Sequence, residues 1–286
     1  MLLRLLPILF LISQNVCAQK ISLYGKIIDD TNEPVKYVSI GIVNKPIGTI
    51  SNDYGIFRLS FNKDSVSVND SLRFSVIGYY SKSIALKSLF DKKTINEHAL
   101  EIMLTKKATE LQEILIKSDK RKIKTIGTHK TSLLKFFVNF SLSGYSDYNL
   151  GSEIGRKFSI SKKNTKIESL RFMINHNNFD SVKLRINIYS IKSGKPFKNL
   201  LTDNIYTDIY KRQKGWIEVD LAQYDILVSK NIVVSLEWIS KSVKGNVLSL
   251  PIIMPTTHVH FYKYGSQNKW KRFNAMSTYM ELKIRQ

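Results

Sequence analysis

Gly48-Thr49-Ile50-Ser51-Asn52-Asp53-Tyr54-Gly55-Ile56-Phe57 is the stretch on which the reading of the fold turns. Asn and Asp side chains bond their own backbone two residues on, and glycine tolerates the positive φ that closes a tight turn. The segment therefore predicts a strand ending near Gly48, a turn through Asn52, Asp53, Tyr54 and Gly55, and a new strand from Ile56. Beyond the turn, Ile56, Arg58 and Ser60 alternate with Phe57, Leu59 and Phe61, the period of a strand with one buried face. The stretch is read as the middle of a small β-sandwich.

The flanks agree. Ile21 to Ile28 alternates and ends in the turn cluster Asp29 to Pro34; Val35 to Val43 places Val38, Ile40 and Ile42 on one face. Ser71 to Ile77 is a further alternating strand closed by Gly78, and Ile84 to Leu86 and Leu100 to Leu104 add short ones, with a loop or short helix between. About seven short strands at this spacing argue for a sandwich.

Gly25-Lys-Ile-Ile-Asp29, Pro34-Val-x-x-Val-Ser-Ile40, Gly48-Thr-x-Ser-Asn-Asp-x-Gly-x-Phe57 and Leu72-Arg-Phe-Ser-x-Ile-Gly-Tyr79 together resemble the carboxypeptidase-like regulatory domain over about residues 20–105. The resemblance implies a transthyretin-like, seven-stranded sandwich without catalytic residues, a unit that precedes other modules in bacterial envelope proteins, including TonB-dependent receptors. Thr109 to Lys117 is similar to the segment that joins this domain to the receptor plug. No plug pattern comes after it, so the receptor function is not carried over, and Glu113 to Ile116 is read as a last edge strand.

Lys117, Lys120, Arg121, Lys122, Lys124 and Lys130 crowd a stretch poor in apolar residues, which is read as a solvated basic linker within residues 106–130; contact with anionic lipid headgroups is the competing reading. Strands resume at Lys157–Ile160, Ile167–Ile174, Val182–Tyr189, Trp216–Leu221, Ile232–Trp238, His258–Tyr264 and Met280–Ile284. Residues 131–286 are thus expected to form a second all-β unit, a jelly-roll-like sandwich. This half also resembles, more loosely, the β-sandwich region that comes after the regulatory domain in exported bacterial proteins. That likeness rests on Gly151 to Gly155, Leu184 to Tyr189, Gly215-Trp216 and Ser235 to Trp238.

The first 18 residues are expected to be a secretory signal. Arg4 precedes an apolar run, Leu5 to Ile12, that is too short to span a bilayer, and Val16-Cys17-Ala18 offers a cleavage point after Ala18. An uncleaved anchor and acylation of Cys17 are the alternatives. Cys17 is the one cysteine in the sequence, so a chain cleaved there has no disulfide, thiolate metal site or cysteine nucleophile. No later apolar run is long enough for a transmembrane helix. Lys and Arg number 44 against 23 Asp and Glu, a formal charge of +21, which favours anionic partners, a glycan or a lipid surface. No nucleic-acid recognition motif is present, and nucleic acid is not expected as a partner.

Signals of chemistry are sparse. The sequence has no phosphate-cradling loop, Gly-x-Ser-x-Gly elbow or His-Glu-x-x-His pair. His258 and His260, two apart on a strand, share a face and would meet one metal if His176 or Glu237 supplied a third ligand. Asp29, Asp30, Asn32 and Glu33 offer oxygens to calcium, but Pro34 points to an ordinary turn. Glu218 and Glu237 are a candidate carboxylate pair for glycoside hydrolysis. Among Trp216, Trp238 and Trp270, the last, flanked by Lys269, Lys271 and Arg272, is the best candidate for exposure and ligand stacking. The expectation is therefore a non-enzymatic, cofactor-free exported protein of a Gram-negative-type envelope, periplasmic or at the surface, engaged in binding, scaffolding or adhesion. A module for acidic glycans and, behind it, a metal-dependent hydrolase are the alternatives.

Overall fold

A computed structural model describes residues 19–90, 99–108, 121–127, 136–141 and 150–286. The expected signal with Cys17, the edge strand Glu113–Ile116, and Lys117, Lys120 and Lys130 of the basic stretch lie outside the described residues. The chain is all-β, and the two main hydrophobic cores among the described residues are separate.

The first core is a seven-stranded sandwich. One sheet has the order β4 (Ile56–Asn62), β1 (Lys20–Asp29), β7 (Leu100–Leu104); the other runs β3 (Gly48–Ile50), β2 (Ser39–Ile42), β5 (Ser71–Ser75), β6 (Lys82–Ala85). A short helix, α1 (Leu86–Phe90), comes directly after β6. β1 pairs antiparallel with β4 and parallel with β7. The deciding turn forms as its chemistry dictates. Asn52 Oδ1 accepts from the Tyr54 and Ile56 amides at 3.0 and 2.9 Å, and Gly55 sits at φ +72°. A Cβ at Gly55 would lie 2.5 Å from the Ile27 carbonyl oxygen, so space and backbone conformation both demand glycine. Phe57, Leu59 and Phe61 then enter the core, each worth about 2 kcal/mol of burial.

Two expectations shift here. Gly48 begins a strand rather than ending one, because Val43 to Ile47 forms a hairpin loop with Asn44 at φ +63° and the Ile42 amide bonded to the Ile47 carbonyl. The long strand expected from Val35 to Val43 shortens to β2, because Lys36 and Tyr37 form a turn with Tyr37 at φ +55°. All four residues of β2 are buried, on both faces. One face, with Ile40 and Ile42, belongs to the first core. The other, with Ser39, meets the second half of the chain.

That half packs one large sheet against two smaller ones. The large sheet has the order β14 (Lys195–Asn199), β13 (Ser181–Lys192), β18 (Ile232–Lys241), β10 (Glu153–Phe158), β20 (His260–Lys263), β21 (Lys271–Phe273), with β15 (Ile205–Tyr210) also on β13. Opposite lie β16 (Gly215–Asp220), β11 (Thr165–Ile174), β23 (Met280–Arg285), β8 (Ile123–Ile126), with β17 (Leu227–Val228) on β11. Beside them run β12 (His176–Asn177), β19 (Leu248–Ile253), β22 (Ser277–Thr278), with β9 (Phe136–Asn139) on β19. Leu184, Ile186 and Ile188 of β13 and Val234, Leu236 and Trp238 of β18 fill the core between the layers.

The basic stretch read as linker is corrected in part. Ile123-Lys-Thr-Ile126 is an edge strand beside the C-terminal β23. Two isoleucines and a threonine suit an edge, and an exposed lysine there discourages pairing with another chain.

Candidate functional site

Polar side chains decide how the two sandwiches meet. On the outer face of the large sheet, Glu153 of β10, Arg185 and Asn187 of β13, and Ser235 and Glu237 of β18 stand side by side, and all are buried. Alternation requires this placement: each is a chain neighbour of a core residue, so it faces away from the core. β2 of the first sandwich lies over them. Arg185 donates from Nε and Nη2 to Glu237 Oε2 at 2.9 and 2.8 Å. It also donates across the boundary to the Tyr37 carbonyl at 3.0 Å and to Ser39 Oγ at 2.6 Å. Ser39 Oγ donates in turn to Glu237 Oε1 at 2.9 Å. Asn187 Nδ2 bridges the two carboxylates, to Glu153 Oε1 at 2.9 Å and Glu237 Oε2 at 3.1 Å. Lys263 Nζ closes the array on Glu153 Oε2 at 2.5 Å, with the Tyr189 hydroxyl donating to the same oxygen at 3.3 Å.

Two cations and two carboxylates thus cancel. Burial works to raise the Glu237 carboxyl, but Arg185 and then Lys263 outweigh it and hold the group below its ordinary range. Around the array the backbones approach closely. Ser266 Oγ donates to the Ile40 carbonyl at 2.5 Å, and Gln267 Nε2 to the Ser39 carbonyl at 3.1 Å and Ser75 Oγ at 2.8 Å. A Cβ on Gly48 would stand 2.7 Å from Ser266 Oγ and 2.9 Å from the Ile40 carbonyl, so glycine is what lets Ser266 in.

Beside this junction opens a cleft of about 990 Å³, walled by both sandwiches. Its floor includes Ser39, Arg185, Asn187 and Glu237. Aromatic rings line it: Trp270 is half-buried and Phe197 is 62 % exposed. Trp270 packs edge-on against Tyr189, with Lys263 Nζ 5.0 Å from its ring centroid. Arg73, Lys107 and Lys198 stand on the walls.

The other sequence candidates lie elsewhere. His260 is buried in β20 against Phe273, and burial takes its imidazole down to about 4. His258 precedes the strand rather than sharing it, because β20 begins only at His260. Burial and then the Arg156 charge lower His258 as well. Arg156, paired in register with His260, is itself buried and bonded to the Gly127, Thr278 and Met280 carbonyls. A fixed cation beside His258 opposes a second one there. His176 bonds Asn175 and Ser249, and no group of three metal-ligating side chains occurs among the described residues.

Asp29 is not part of an open calcium loop: Oδ1 accepts from the Thr31 and Glu33 amides and Oδ2 pairs with Lys106 at 2.7 Å. Glu218 belongs to β16, where it contacts Ser169 and Arg171 of the neighbouring β11, on a different sheet from Glu237. The carboxylate that faces Glu237 is Glu153, its register partner. Trp238 is core, against Phe140 and Phe179, and Trp216 carries Arg171 at 4.9 Å. The sequence signal for the cleft floor was the polar half of each apolar strand, Arg185-Ile-Asn187 and Ser235-Leu-Glu237, which by default reads as facing water.

Comparison with known proteins agrees on the first sandwich. Residues 23–116 match the family model of the CarboxypepD_reg-like domain. No curated protein matches the chain. Among solved structures, the cysteine protease and lectin-like domains of Cwp84, a surface layer associated protein of Clostridium difficile, superpose with a TM-score of 0.41 at 10% identity. That alignment covers 87% of this chain and 58% of the clostridial one. A second structure of the clostridial protease, after propeptide cleavage, gives 0.38 at 11% identity, covering 93% and 70%. No helix among the described residues is long and apolar enough to cross a membrane. The likeness of residues 23–116 to the CarboxypepD_reg-like domain agrees with the resemblance read from the sequence over about residues 20–105.

Proposed function

We propose that the protein is a non-catalytic, exported binding module of a bacterial envelope, and that the cleft between its two sandwiches is the working surface. The observation that carries this reading is the neutralised floor. Glu153 is paired with Lys263 and Asn187, and Glu237 is held below its ordinary range by Arg185, so Glu237 is not poised to donate a proton. A catalytic acid needs the opposite, a carboxyl pushed up toward the working pH. The regulatory-type first domain supports the same reading, since it supplies a face and side chains to the cleft rather than a nucleophile.

The test combines calorimetry with product analysis. The purified chain is titrated with soluble glycans and envelope polysaccharide, and the mixtures are assayed for new reducing ends. Binding without cleavage is expected. Cleavage that disappears in Glu153→Gln or Glu237→Gln would replace this reading by a hydrolase, and stoichiometric zinc, nickel or manganese lost in His260→Gln would revive the metal-dependent one.

A further inference from the structure

We infer that the cleft takes an anionic oligosaccharide, a chain of carboxylated sugars, an assignment that rests on the binding reading above and names its ligand class. The charge of the walls points there. Arg73, Lys107 and Lys198 line the opening, and no carboxylate among the described residues pairs with any of them. Among the described residues, the Arg73 side chain bonds the Ser81 hydroxyl at 3.3 Å, and Lys107 Nζ lies 5.7 Å from the Tyr80 ring centroid. The one carboxylate of the lining, Glu237, is spent on Arg185. Cations left on the walls above an internally neutral floor attract an anion into the cleft without a competing group of the protein's own.

The rings argue for a sugar rather than a bare anion. Phe197 leaves 62 % of its surface in water although it lines the cleft and Lys192 Nζ lies 4.8 Å from its ring centroid, and Trp270 is half-covered beside Tyr189. An exposed aromatic face next to charged and amide groups matches the apolar face and polar rim of a pyranose. About 990 Å³ is the upper end of the roughly 300–1,000 Å³ of small-molecule sites, room for several sugar rings rather than one. A uronate chain repeats both features, a ring face and a carboxylate at every residue.

Calorimetry on the full chain tests this with hexagalacturonate, hexamannuronate and a hyaluronan hexasaccharide. The controls are fully methyl-esterified hexagalacturonate, poly-glutamate and a single-stranded oligothymidylate. At least one uronate is expected to bind, with affinity falling as salt rises. Its methyl ester is expected to bind about a hundredfold more weakly, because three cation contacts of about fivefold each are lost. Lys198→Gln and Arg73→Gln each weaken uronate binding by about fivefold. Phe197→Ala weakens it by about tenfold while leaving the melting temperature unchanged, since the ring is exposed. Equal binding of ester and acid overturns the anionic assignment but leaves the cleft a binding site. Equal or tighter binding of poly-glutamate or oligothymidylate overturns the sugar assignment. Binding of none of the three uronates overturns the inference. The binding reading itself fails only if neutral glycans and envelope polysaccharide also give no heat.

Discussion

Arg185→Met removes the cation on which the domain junction is built. In the native protein Arg185 contacts Glu237 at 2.9 and 2.8 Å and crosses to Tyr37 and Ser39 at 3.0 and 2.6 Å. Both members of the pair are about 4 % exposed, so the loss is that of a buried pair broken from one side, about 3–5 kcal/mol, rather than that of a surface bridge. Met fills the stem's volume but leaves Glu237 charged, buried and short of two donors. A loss of about 4 kcal/mol at pH 7 corresponds to a fall in melting temperature of roughly 10 °C for a unit of this size. The pH dependence carries a second signature. In the native protein Glu237 is held below its ordinary range, so its contribution is present above the unfolded carboxyl pKa and is lost as pH falls through the folded one. In the variant burial acts without the guanidinium and raises the carboxyl. Its penalty is then greatest at neutral pH and shrinks as pH falls through that raised pKa toward the ordinary carboxylate range. Urea unfolding monitored by tryptophan fluorescence at pH 7.5 and pH 5 measures both. The double variant Arg185→Met with Glu237→Leu should recover most of the loss, because no lone charge remains. A loss under about 1 kcal/mol that is equal at the two pH values would show the pair behaving as a hydrated surface bridge and would refute the reasoning.

Three other outcomes are expected. Gly48→Ala forces a Cβ against the Ile40 carbonyl and Ser266, and should cost about 1–3 kcal/mol by calorimetry. Gly55→Ala must place a side chain at φ +72° within 2.5 Å of the Ile27 carbonyl; it should lower stability by more than about 1 kcal/mol, and a neutral result in urea unfolding would contradict the turn. Burial lowers His260 to about 4 from an ordinary 6.5, so the unfolded chain binds the proton first. Stability is therefore full above about pH 6.5 and declines toward pH 4, by about 3 kcal/mol at most, and His260→Phe should flatten that part of the stability–pH curve.

The first sandwich was legible because its signals are local. The Asn52 to Gly55 turn and the Phe57, Leu59, Phe61 face each specify their structure within ten residues. Where a strand's limits depend on what covers it, sequence reading slipped. Alternation with Val38 and Ile40 gives Ser39 no reason to be buried, and it is dry because the second sandwich sits on it. The core face of β13 was plain from Val182, Leu184, Ile186 and Ile188, but its other face was ambiguous. Arg185 and Asn187 in an alternating strand suit water equally well, and only the distant Ser39 tells the two cases apart. His258 and His260 show the converse limit. Spacing placed them on one face, yet the strand begins too late and Arg156 stands alongside. Trp270 was picked for its cationic flanks and does line the cleft, while Phe197, which Lys195 and Lys198 flank in a short strand after a Ser193-Gly194 turn, was not singled out.

The parallel pairing of β1 with β7 sets the direction in which the chain passes through its first domain. Had the closing strand run antiparallel, the polypeptide would leave where it came in. Running alongside Gly25 to Asp29 in the same sense, it leaves at the far end instead, and β1's ten residues correspond to about 30 Å of travel. The domain is therefore a rigid spacer as well as a wall, with Lys20 at one pole and Leu104 at the other. Whatever grips the chain at the first pole is kept at a fixed stand-off from the polypeptide that emerges at the second.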